Sequence, residues 1–374
     1  MTTTNDATAA TAATLPAGAS STAAPVGAAT TAAPSPAETT PTSVPGLLLR
    51  PVRWPEEAQL VADVNNAGRL AAGNLEVLTL DGFLLSYGNL VNCNLATDLR
   101  LAEHEGRPVA YTRVEWRIEN RGDRVHYQGL FTTPEAPDGT LEAILDWAEA
   151  RSRAVAATLP ADRPAVLGAF LGMETPAGRA ILEDRGYRAA RFFFEMVRPD
   201  LEAIPELALP AGVEVRSVEP GDLRTIFEAE VAAFRGHWGA GPYDGSDEHW
   251  IQFRDEPLND LALWQIAWAG ESVVGMVRPY INDEDFRVLG VRRGWCENIS
   301  THADWRGRGI AKALIARALR ALRDRGMTEA ALGVDASNET GAVALYRSMG
   351  FVERTRQTDF RRPLTATLPD EIAR

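Results

Sequence analysis

This sequence has few cysteines, no cysteine and histidine pattern of a zinc site, and no long apolar run. Its 374 residues include two cysteines, Cys93 and Cys296, which argues against a disulfide framework and indicates a reducing cytoplasm. Cysteine and histidine do not occur together at the spacing of a zinc site, so we expect no metal. There is no apolar run of about 18 residues, so we expect no membrane span.

Basic residues are also fewer than acidic residues. The sequence has 38 Lys and Arg against 51 Asp and Glu, a net charge of −13. A nucleic-acid-binding surface normally needs a basic patch, so we exclude that class of partner. The acidic balance mildly favours a cationic acceptor, although it also serves simple solubility. The hydrophobic share of 45% and charged share of 24% are ordinary for a globular protein, and the length suits about two domains.

The first 44 residues differ from the rest in composition. They are almost entirely Ala, Thr, Ser and Pro, and Asp6 and Glu38 are their only charged side chains. Such a segment cannot bury enough apolar surface to offset the entropy of ordering it, so we expect residues 1–44 to be a disordered tail without a catalytic role. A signal peptide is a poor interpretation, because a basic start and a leucine-like core are both missing.

One short segment carries a definite chemical signal, namely Trp305-Arg306-Gly307-Arg308-Gly309-Ile310-Ala311. It follows an apolar run and opens directly into an amphipathic helix. Glycines let the backbone approach an anion closely, so that consecutive N–H groups can converge on it. The free N–H groups and the positive dipole end of the helix add to that attraction. The segment therefore predicts a phosphate-binding turn.

The surrounding pattern predicts the elements that hold this turn. From Ile310 to Leu322 the apolar residues recur at helical spacing, and Gly326 ends that helix. Residues 328–334 indicate a buried strand. A shorter helix is expected from about Asn338 to Met349, closed by Gly350. The unit is strand, turn, helix, strand and helix, so its two strands should be parallel neighbours.

Two motifs together resemble those of the GNAT family of acyl-CoA-dependent N-acyltransferases. The first is Arg306-x-x-Gly309-x-Ala311, and the second is Asn338 followed by Ala344-Leu345-Tyr346-Arg347-Ser348-Met349-Gly350-Phe351. Either motif alone is weak, but both occur in the family's order with a helix and a strand between them. The resemblance implies an α/β fold in which a mixed central sheet is flanked by helices.

The resemblance also implies how acetyl-CoA is bound. In this family the turn cradles the pyrophosphate of coenzyme A, and the Asn and Tyr of the second motif lie beside the cofactor sulfur. The strand before the turn runs along the pantetheine arm. We expect one of the two arginines of the turn to face solvent. The implied cofactor-binding residues are Ile299, Ser300, Thr301, Arg306, Gly307, Arg308, Gly309, Ile310, Ala311 and Asn338.

The folded part of the sequence repeats itself. Gly186-Tyr187 and Gly350-Phe351 are each followed twelve positions later by Arg-Pro, and the two copies lie 164 residues apart. We therefore expect two tandem GNAT-like domains. The first would span 45–200 and the second, catalytic one 211–374, with a proline-containing linker at 201–210.

The two copies differ where the cofactor would bind. At the 164-residue offset, Leu182 stands in the place of Tyr346. The counterpart of the phosphate turn, Thr133 to Leu141, keeps one glycine and carries Glu135 and Asp138 instead of arginines. These acids disfavour an anion, although they also suit the positive end of a helix. We expect the N-terminal copy to be degenerate and non-catalytic.

Acyl transfer from a thioester to an amine needs a neutral amine and a proton for the leaving thiolate. We expect Tyr346 to be the general acid, because a phenol with a pKa near 10 stays protonated at neutral pH; the alternative is a tyrosine that only fills the core. Glutamates in the strand before the turn often act through water in this family, which makes Glu297 the candidate general base. The alternative is a solvated residue on a half-exposed strand. Cys296 has no evident histidine partner, so direct transfer is favoured.

The acceptor site leaves the weakest signal. The glycine-rich, aromatic loop at 234–243 fits a mobile lid over a small molecule, with His237, Trp238 and Tyr243 as candidate contacts, and it fits an ordinary surface loop nearly as well. We predict a cytoplasmic monomer or homodimer that moves an acetyl group from acetyl-CoA to a primary amine of a small molecule. The open alternatives are a protein or peptide N-acetyltransferase and a non-enzymatic regulator that binds acyl-CoA.

Overall fold

Strands and helices alternate along the chain, and their order repeats halfway. The computed structural model describes residues 39–238, 246–337 and 341–364. The predicted disordered tail lies outside the described residues up to position 38. Its last residues, 39–44, are described, and there Thr40–Pro41 pairs with the next strand while Val44 packs on the N-terminal core. Because backbone pairing and apolar burial occur in residues 39–44, these last residues of the predicted tail are ordered.

The N-terminal half contains seven strands and five helices in the described residues. Its strands are β1 (Thr40–Pro41), β2 (Leu47–Pro51), β3 (Leu99–His104), β4 (Arg107–Ile118), β5 (Arg124–Thr132), β6 (Ala165–Leu171) and β7 (Arg188–Arg198). Its helices are α1 (Ala58–Ala71), α2 (Leu80–Gly88), α3 (Leu95–Asp98), α4 (Thr140–Ala156) and α5 (Pro176–Asp184).

The C-terminal half follows the same order. Its strands are β8 (Glu214–Val215), β9 (Gln265–Ala269), β10 (Ser272–Ile281), β11 (Arg293–Thr301), β12 (Glu329–Asp335) and β13 (Val352–Pro363). Its helices are α6 (Leu223–Phe234), α7 (Asp247–Asp255), α8 (Asp283–Leu289), α9 (Ile310–Asp324) and α10 (Ala342–Ser348), with single 3-10 turns at Pro220–Asp222 and Ala303–Trp305.

The elements around the phosphate turn form as the sequence pattern predicts. α9 presents one apolar stripe to the sheet, because its buried residues recur at helical spacing. Gly326, with a φ of 85°, follows its end, and Gly350, with a φ of 88°, follows the end of α10. β11 and β12 are parallel neighbours, which confirms that prediction. The predicted start of α10 at 338–340 lies outside the described residues.

All thirteen strands belong to one mixed sheet, in which the two halves exchange their last strands. The strand order is β1-β2-β3-β4-β5-β6-β13-β7-β12-β11-β10-β9-β8. β13 therefore lies between β6 and β7, and β7 lies between β13 and β12. Phe193 stands opposite Gln357 in the central antiparallel pair. These two positions are 164 residues apart, the offset of the repeat, so a pseudo-twofold axis passes between them.

Helices cover both faces of the sheet and create separate cores in each half. In the N-terminal half α4 packs on one face, and α1 and α2 pack on the other. In the C-terminal half α9 and α10 pack on one face, and α6 and α7 pack on the other. The exchange places Phe360 of β13 in the N-terminal core and Met196 of β7 in the C-terminal core. No helix in the described part of the chain has the length and apolarity needed to cross a bilayer.

Candidate active site

β11 and β12 separate near the middle of the sheet. They pair at three positions, from Arg293 opposite Glu329 to Trp295 opposite Ala331. Both strands continue beyond this point without pairing further with each other in the described residues. β11 also bends at Asn298, whose φ of 52° lies in the left-handed region. A wedge-shaped gap therefore opens between two strands that start as neighbours.

A cavity of about 850 Å³ occupies this gap and continues along the phosphate turn. Ten of the predicted catalytic and cofactor-binding residues line it: Glu297, Ile299, Ser300, Thr301, Arg306, Gly307, Gly309, Ile310, Ala311 and Tyr346. Lys312, in the first turn of α9, also lines the cavity. This cation was missed because the helical pattern alone places it only on the polar face of α9. The predicted Asn338 lies outside the described residues.

The phosphate turn lies at the open end of the gap. Gly307 and Gly309 have φ values of 75° and 82°, a backbone conformation that strains residues with a side chain. Ile310 begins α9 directly after Gly309. The first N–H groups of this helix therefore lack intrahelical acceptors and can receive an anion.

The two arginines of the turn point in different directions. Arg306 lines the cavity, and its Nε donates to the Thr301 carbonyl at 3.3 Å. Arg308 lies outside the cavity lining, where its guanidinium donates to the Asp304 carbonyl at 3.1 Å and stacks 4.7 Å from the centre of the Trp305 ring. The geometry therefore favours Arg306 over Arg308 as a phosphate contact.

Glu297 lies where the two strands begin to diverge. Its Oε1 accepts a hydrogen bond of 2.7 Å from the Gly333 N–H. Burial is the main cause that raises the pKa of Glu297 to about 8, and the carboxylates of Glu76 and Glu195 raise it further. A carboxyl with such a pKa can exchange a proton near neutral pH, which is what a general base for an ammonium needs.

Tyr346 projects from α10 into the same cavity. Its ring packs edge-on against Phe351, with centroids 6.3 Å apart. Burial, reinforced by the nearby charge of Glu297, raises the pKa of Tyr346 above its ordinary value. The phenol therefore stays neutral and retains a proton to donate. The side chain of Cys296, by contrast, is buried in the core, and burial raises the pKa of its thiol, which disfavours a thiolate nucleophile.

The predicted acceptor residues do not all meet in one place. His237 lines the cavity, and burial lowers its pKa. Trp238 lies outside the lining, against the Phe193 ring (6.5 Å between centroids) and over the Arg361 guanidinium (4.7 Å). Tyr243 lies outside the described residues.

A second cavity, of about 530 Å³, lies between the two halves of the protein. Glu297 and Asn298 line both cavities, so the two spaces meet at the candidate base. The polar side chains around it include Asn65, Arg69, Glu76, Thr79, Ser86, Tyr87 and Arg113 from the N-terminal half, and Glu256, Asn259, Arg278 and Tyr280 from the C-terminal half. Sequence reasoning missed this cavity because only the packing of the halves brings these residues together.

In the N-terminal half the strands that correspond to β11 and β12 are β5 and β6, and the space between them is closed. β5 and β6 pair at seven consecutive positions, and the Gly172 N–H extends the ladder by donating to the Leu130 carbonyl at 2.8 Å. The Phe131 ring covers Gly172 so closely that a β-carbon there would lie 2.3 Å from its Cδ1. No gap comparable to that between β11 and β12 exists between these two described strands.

The side chains around β5 and β6 also differ from their counterparts in the C-terminal half. Leu182 is fully buried in the N-terminal core. Glu174 accepts hydrogen bonds from the N–H and Oγ1 of Thr358, at 2.7 and 2.8 Å, and so ties β13 to this half. Glu135 and Asp138 are exposed beside the start of α4. Their negative charge would repel a phosphate group bound there.

Comparison with known proteins shows the family of this chain. Residues 223–351 match the model of the acetyltransferase (GNAT) family. The chain belongs to the GNAT family, whose members use acetyl-CoA as co-substrate, and it is an acyl-CoA-dependent acetyltransferase. It is similar to the mycothiol acetyltransferase of Salinispora arenicola, with 32% identity over 213 residues that span 56% of this chain and 67% of that protein. The Salinispora tropica protein of the same name is 33% identical over 214 residues, with the same coverage.

Two solved structures share the fold over most of this chain, and one of them is a tandem GNAT protein. A GCN5-related N-acetyltransferase from Sphaerobacter thermophilus superimposes with a TM-score of 0.65 at 23% identity, covering 87% of this chain and 98% of that one. A tandem GNAT protein from the clavulanic acid biosynthesis pathway gives a TM-score of 0.60 at 14% identity, covering 86% and 100%. The predicted tandem GNAT fold, similar in layout to mycothiol synthase, is thereby confirmed.

Proposed function

We propose that this protein transfers an acetyl group from acetyl-CoA directly to a primary amine of a small molecule. The observation that carries the proposal is a single cavity that joins the phosphate turn, Glu297 and Tyr346. A site for the pyrophosphate at one end and an acid–base pair at the other are what the reaction of a thioester with an amine requires.

The cofactor contacts follow from the geometry of the gap. We assign the pyrophosphate to residues 306–311, because the glycines and the start of α9 offer N–H groups to an anion. Arg306 and Lys312 add positive charge at the same place. Residues 299–301 lie where β12 has turned away, so their backbone can bind the pantetheine arm much as a neighbouring strand would. Asn338 stays a prediction from the family motif.

The chemistry uses Glu297 and Tyr346 in sequence. Glu297 accepts a proton from the acceptor ammonium, directly or through water; its pKa of about 8 brings it closer to that of an amine and makes this transfer less uphill. The neutral amine nitrogen bonds to the thioester carbon, and the carbon–sulfur bond breaks. Tyr346 gives its proton to the leaving thiolate. The cationic nitrogen of the new amide loses its second proton, which restores the Tyr346 phenol directly or through water. Glu297 releases its own proton to solvent before the next cycle.

The acceptor enters, in this proposal, through the second cavity. Because Glu297 faces both cavities, an amine in the second one meets the base on the side opposite the cofactor. A space of about 530 Å³ suits a small molecule. The names of the mycothiol acetyltransferase relatives support an acceptor of that size. His237, Trp238 and Tyr243 stay predictions for further acceptor contacts.

We also propose that the chain holds one cofactor site. The seven-residue pairing of β5 with β6 closes the space that would receive the pantetheine arm in the N-terminal half. With Glu135 and Asp138 beside the corresponding turn, that half lacks both the gap and the charge for coenzyme A. The N-terminal copy is then a degenerate GNAT domain.

A screen of amines with acetyl-CoA, read out by thiol release, tests the reaction. Tyr346→Phe should bind acetyl-CoA with wild-type affinity in calorimetry and lose turnover. Tyr187→Phe, which removes a hydroxyl in the N-terminal core, should keep turnover. Unchanged activity in Tyr346→Phe would remove this residue as the acid. Thiol release only with peptides would favour the protein acetyltransferase, and binding without thiol release from any acceptor would favour the regulator.

Location and oligomeric state stay predictions. Cys93 and Cys296 are both free thiols, which supports the reducing cytoplasm. Light scattering on the purified chain distinguishes the monomer from the homodimer.

A further inference from the structure

The strand exchange brings a carboxylate of the N-terminal half beside the candidate base. Glu195 of β7 stands directly opposite Gly333 of β12. Residues opposite each other in an antiparallel pair point to the same face, with β-carbons about 5 Å apart. The Gly333 N–H donates to Glu297 Oε1 at 2.7 Å. Glu297 therefore contacts Gly333 from the β11 side, and Glu195 is the pairing partner of the same glycine on the β7 side.

The loop between α1 and α2 is anchored at the same place. The Leu75 N–H donates to Glu195 Oε2 at 3.0 Å, and Arg293 Nη1 donates to the Leu75 carbonyl at 2.5 Å. Two residues further on, the Val77 N–H donates to Asp285 Oδ1 at 2.8 Å. Contacts from β11 and α8 thus fix this loop against the C-terminal half, and Glu195 ties it to the exchanged strand β7.

Between these anchors the loop presents a second carboxylate. Glu76 lines the second cavity together with Glu297. Its Oε1 accepts a hydrogen bond from the Tyr280 hydroxyl at 2.7 Å. Burial raises the pKa of Glu76, and the hydrogen bond from this neutral phenol acts in the opposite direction by favouring the ionised carboxylate.

The arginine on the neighbouring strand forms its ion pair with another carboxylate, although its charge also acts to lower the pKa of Glu297. Arg278 stands opposite Glu297 across β10 and β11. Its guanidinium forms an ion pair with Glu230, at 3.1 Å, and packs against the rings of Phe253 and Trp264. The charged and titratable groups around Glu297 and its two neighbouring carboxylates are Arg69, Glu76, Glu195, Arg278, Tyr280, Asp285, Cys296 and Tyr346. Arg69 lies 3.9 Å from Glu195 Oε1 and offsets part of the negative charge.

We propose that Glu195 and Glu76 are positioning residues of the catalytic centre, two carboxylates of the N-terminal half that make Glu297 a stronger base. Like charges close together disfavour each other's ionisation, and this repulsion adds to the larger effect of burial on Glu297. A stronger base takes a proton from an ammonium more completely. The N-terminal half then contributes to catalysis although it has no cofactor site of its own.

This inference rests on the proposed function for its catalytic meaning, but the electrostatic effect can be measured without turnover. The probe is the full-length protein labelled with carboxyl-¹³C glutamate, titrated by NMR. The Glu297 signal is identified by its loss in Glu297→Gln. Its titration midpoint should move to lower pH in both Glu195→Gln and Glu76→Gln, by roughly half to one pH unit each.

A matched control separates charge from position. Thr355 Oγ1 donates to Glu195 Oε2 at 3.0 Å, so Thr355→Val removes a contact of Glu195 and keeps its charge. The Glu297 midpoint should stay unchanged in this variant. A shift as large as that of Glu195→Gln would overturn the proposal, as would an unchanged midpoint in both glutamine variants when their melting curves are native.

A second readout uses acetyl-CoA alone in water. The slow release of thiol by hydrolysis should show an acid limb that moves to lower pH in Glu195→Gln and Glu76→Gln. A limb that stays in place in both variants would contradict the catalytic meaning of the two residues. If the NMR midpoint moves but no amine is acetylated, the proposed function fails while the electrostatic coupling stands.

Discussion

Replacing Glu297 by glutamine is expected to stabilise the folded protein at neutral pH while abolishing acyl transfer. Burial raises the pKa of this carboxyl from 4.5 to about 8. A group whose folded pKa is raised binds its proton more tightly in the folded state. Its contribution to stability is therefore complete below about pH 4.5 and is lost as the pH rises toward 8. Glutamine carries no charge and escapes this loss.

The size of the effect follows from the same pKa difference. At about 1.4 kcal/mol per pKa unit, the shift from 4.5 to about 8 corresponds to an upper limit of about 3 kcal/mol at pH 7. Glu297 faces two cavities, so solvent screens part of this cost, and we expect a stabilisation of about 1–2 kcal/mol. The glutamine carbonyl can still accept the hydrogen bond from the Gly333 N–H.

Urea unfolding of the wild type and of Glu297→Gln at pH 5, 7 and 8 measures this difference. The stabilisation should be small at pH 5 and should increase toward pH 8. Glu271→Gln is the control, because Glu271 is exposed in the turn between β9 and β10; no pH-dependent gain is expected there. If Glu297→Gln is less stable than the wild type at pH 7 and 8, or if the difference does not vary with pH, Glu297 is not a desolvated carboxyl and the reasoning fails.

Three further predictions concern the cofactor site and the strand exchange. Arg306→Glu should weaken coenzyme A binding in calorimetry by roughly tenfold or more, whereas Arg308→Glu, outside the cavity lining, should have a smaller effect; equal losses would refute the assignment of Arg306. The same titration should give one coenzyme A per chain, and two would show that the N-terminal half binds it as well. Phe360→Ala should lower the free energy of unfolding by about 3–5 kcal/mol, because this side chain of β13 is buried in the N-terminal core. Hydrogen exchange should then increase in β6, and full protection there would argue against a structural role for the exchanged strand.

Local features of the site could be predicted from the sequence because they depend on neighbouring residues. Gly307 and Gly309 adopt left-handed backbone angles. Glycine can do so because it has no side chain, whatever the position of the turn in the fold. The apolar stripe of α9 follows from helical periodicity, and the glycine after each helix marks where it ends. These signals were sufficient for the turn, for the parallel neighbours β11 and β12, and for the placement of Glu297 and Tyr346 near the turn.

The exchange of β7 and β13 could not be predicted in this way. Both strands stand at corresponding positions of the repeat, each after a glycine that ends a short helix. Alternation of apolar and polar residues indicates which face of a strand is buried, but it does not indicate which strand pairs with it. The exchange therefore forms only when the two halves pack. It pairs Glu195 with Gly333 and anchors the loop that carries Glu76.

The sequence by itself determined the family, the tandem repeat and the glycine-rich turn before α9, because each is encoded in short motifs and in their spacing. Only the tertiary structure decided that β11 and β12 diverge while β5 and β6 stay paired, since strand pairing is a contact between distant segments. Only it showed a second cavity that meets the first at Glu297. The charge around this carboxyl depends on residues more than a hundred positions away, and their proximity exists only in the folded chain.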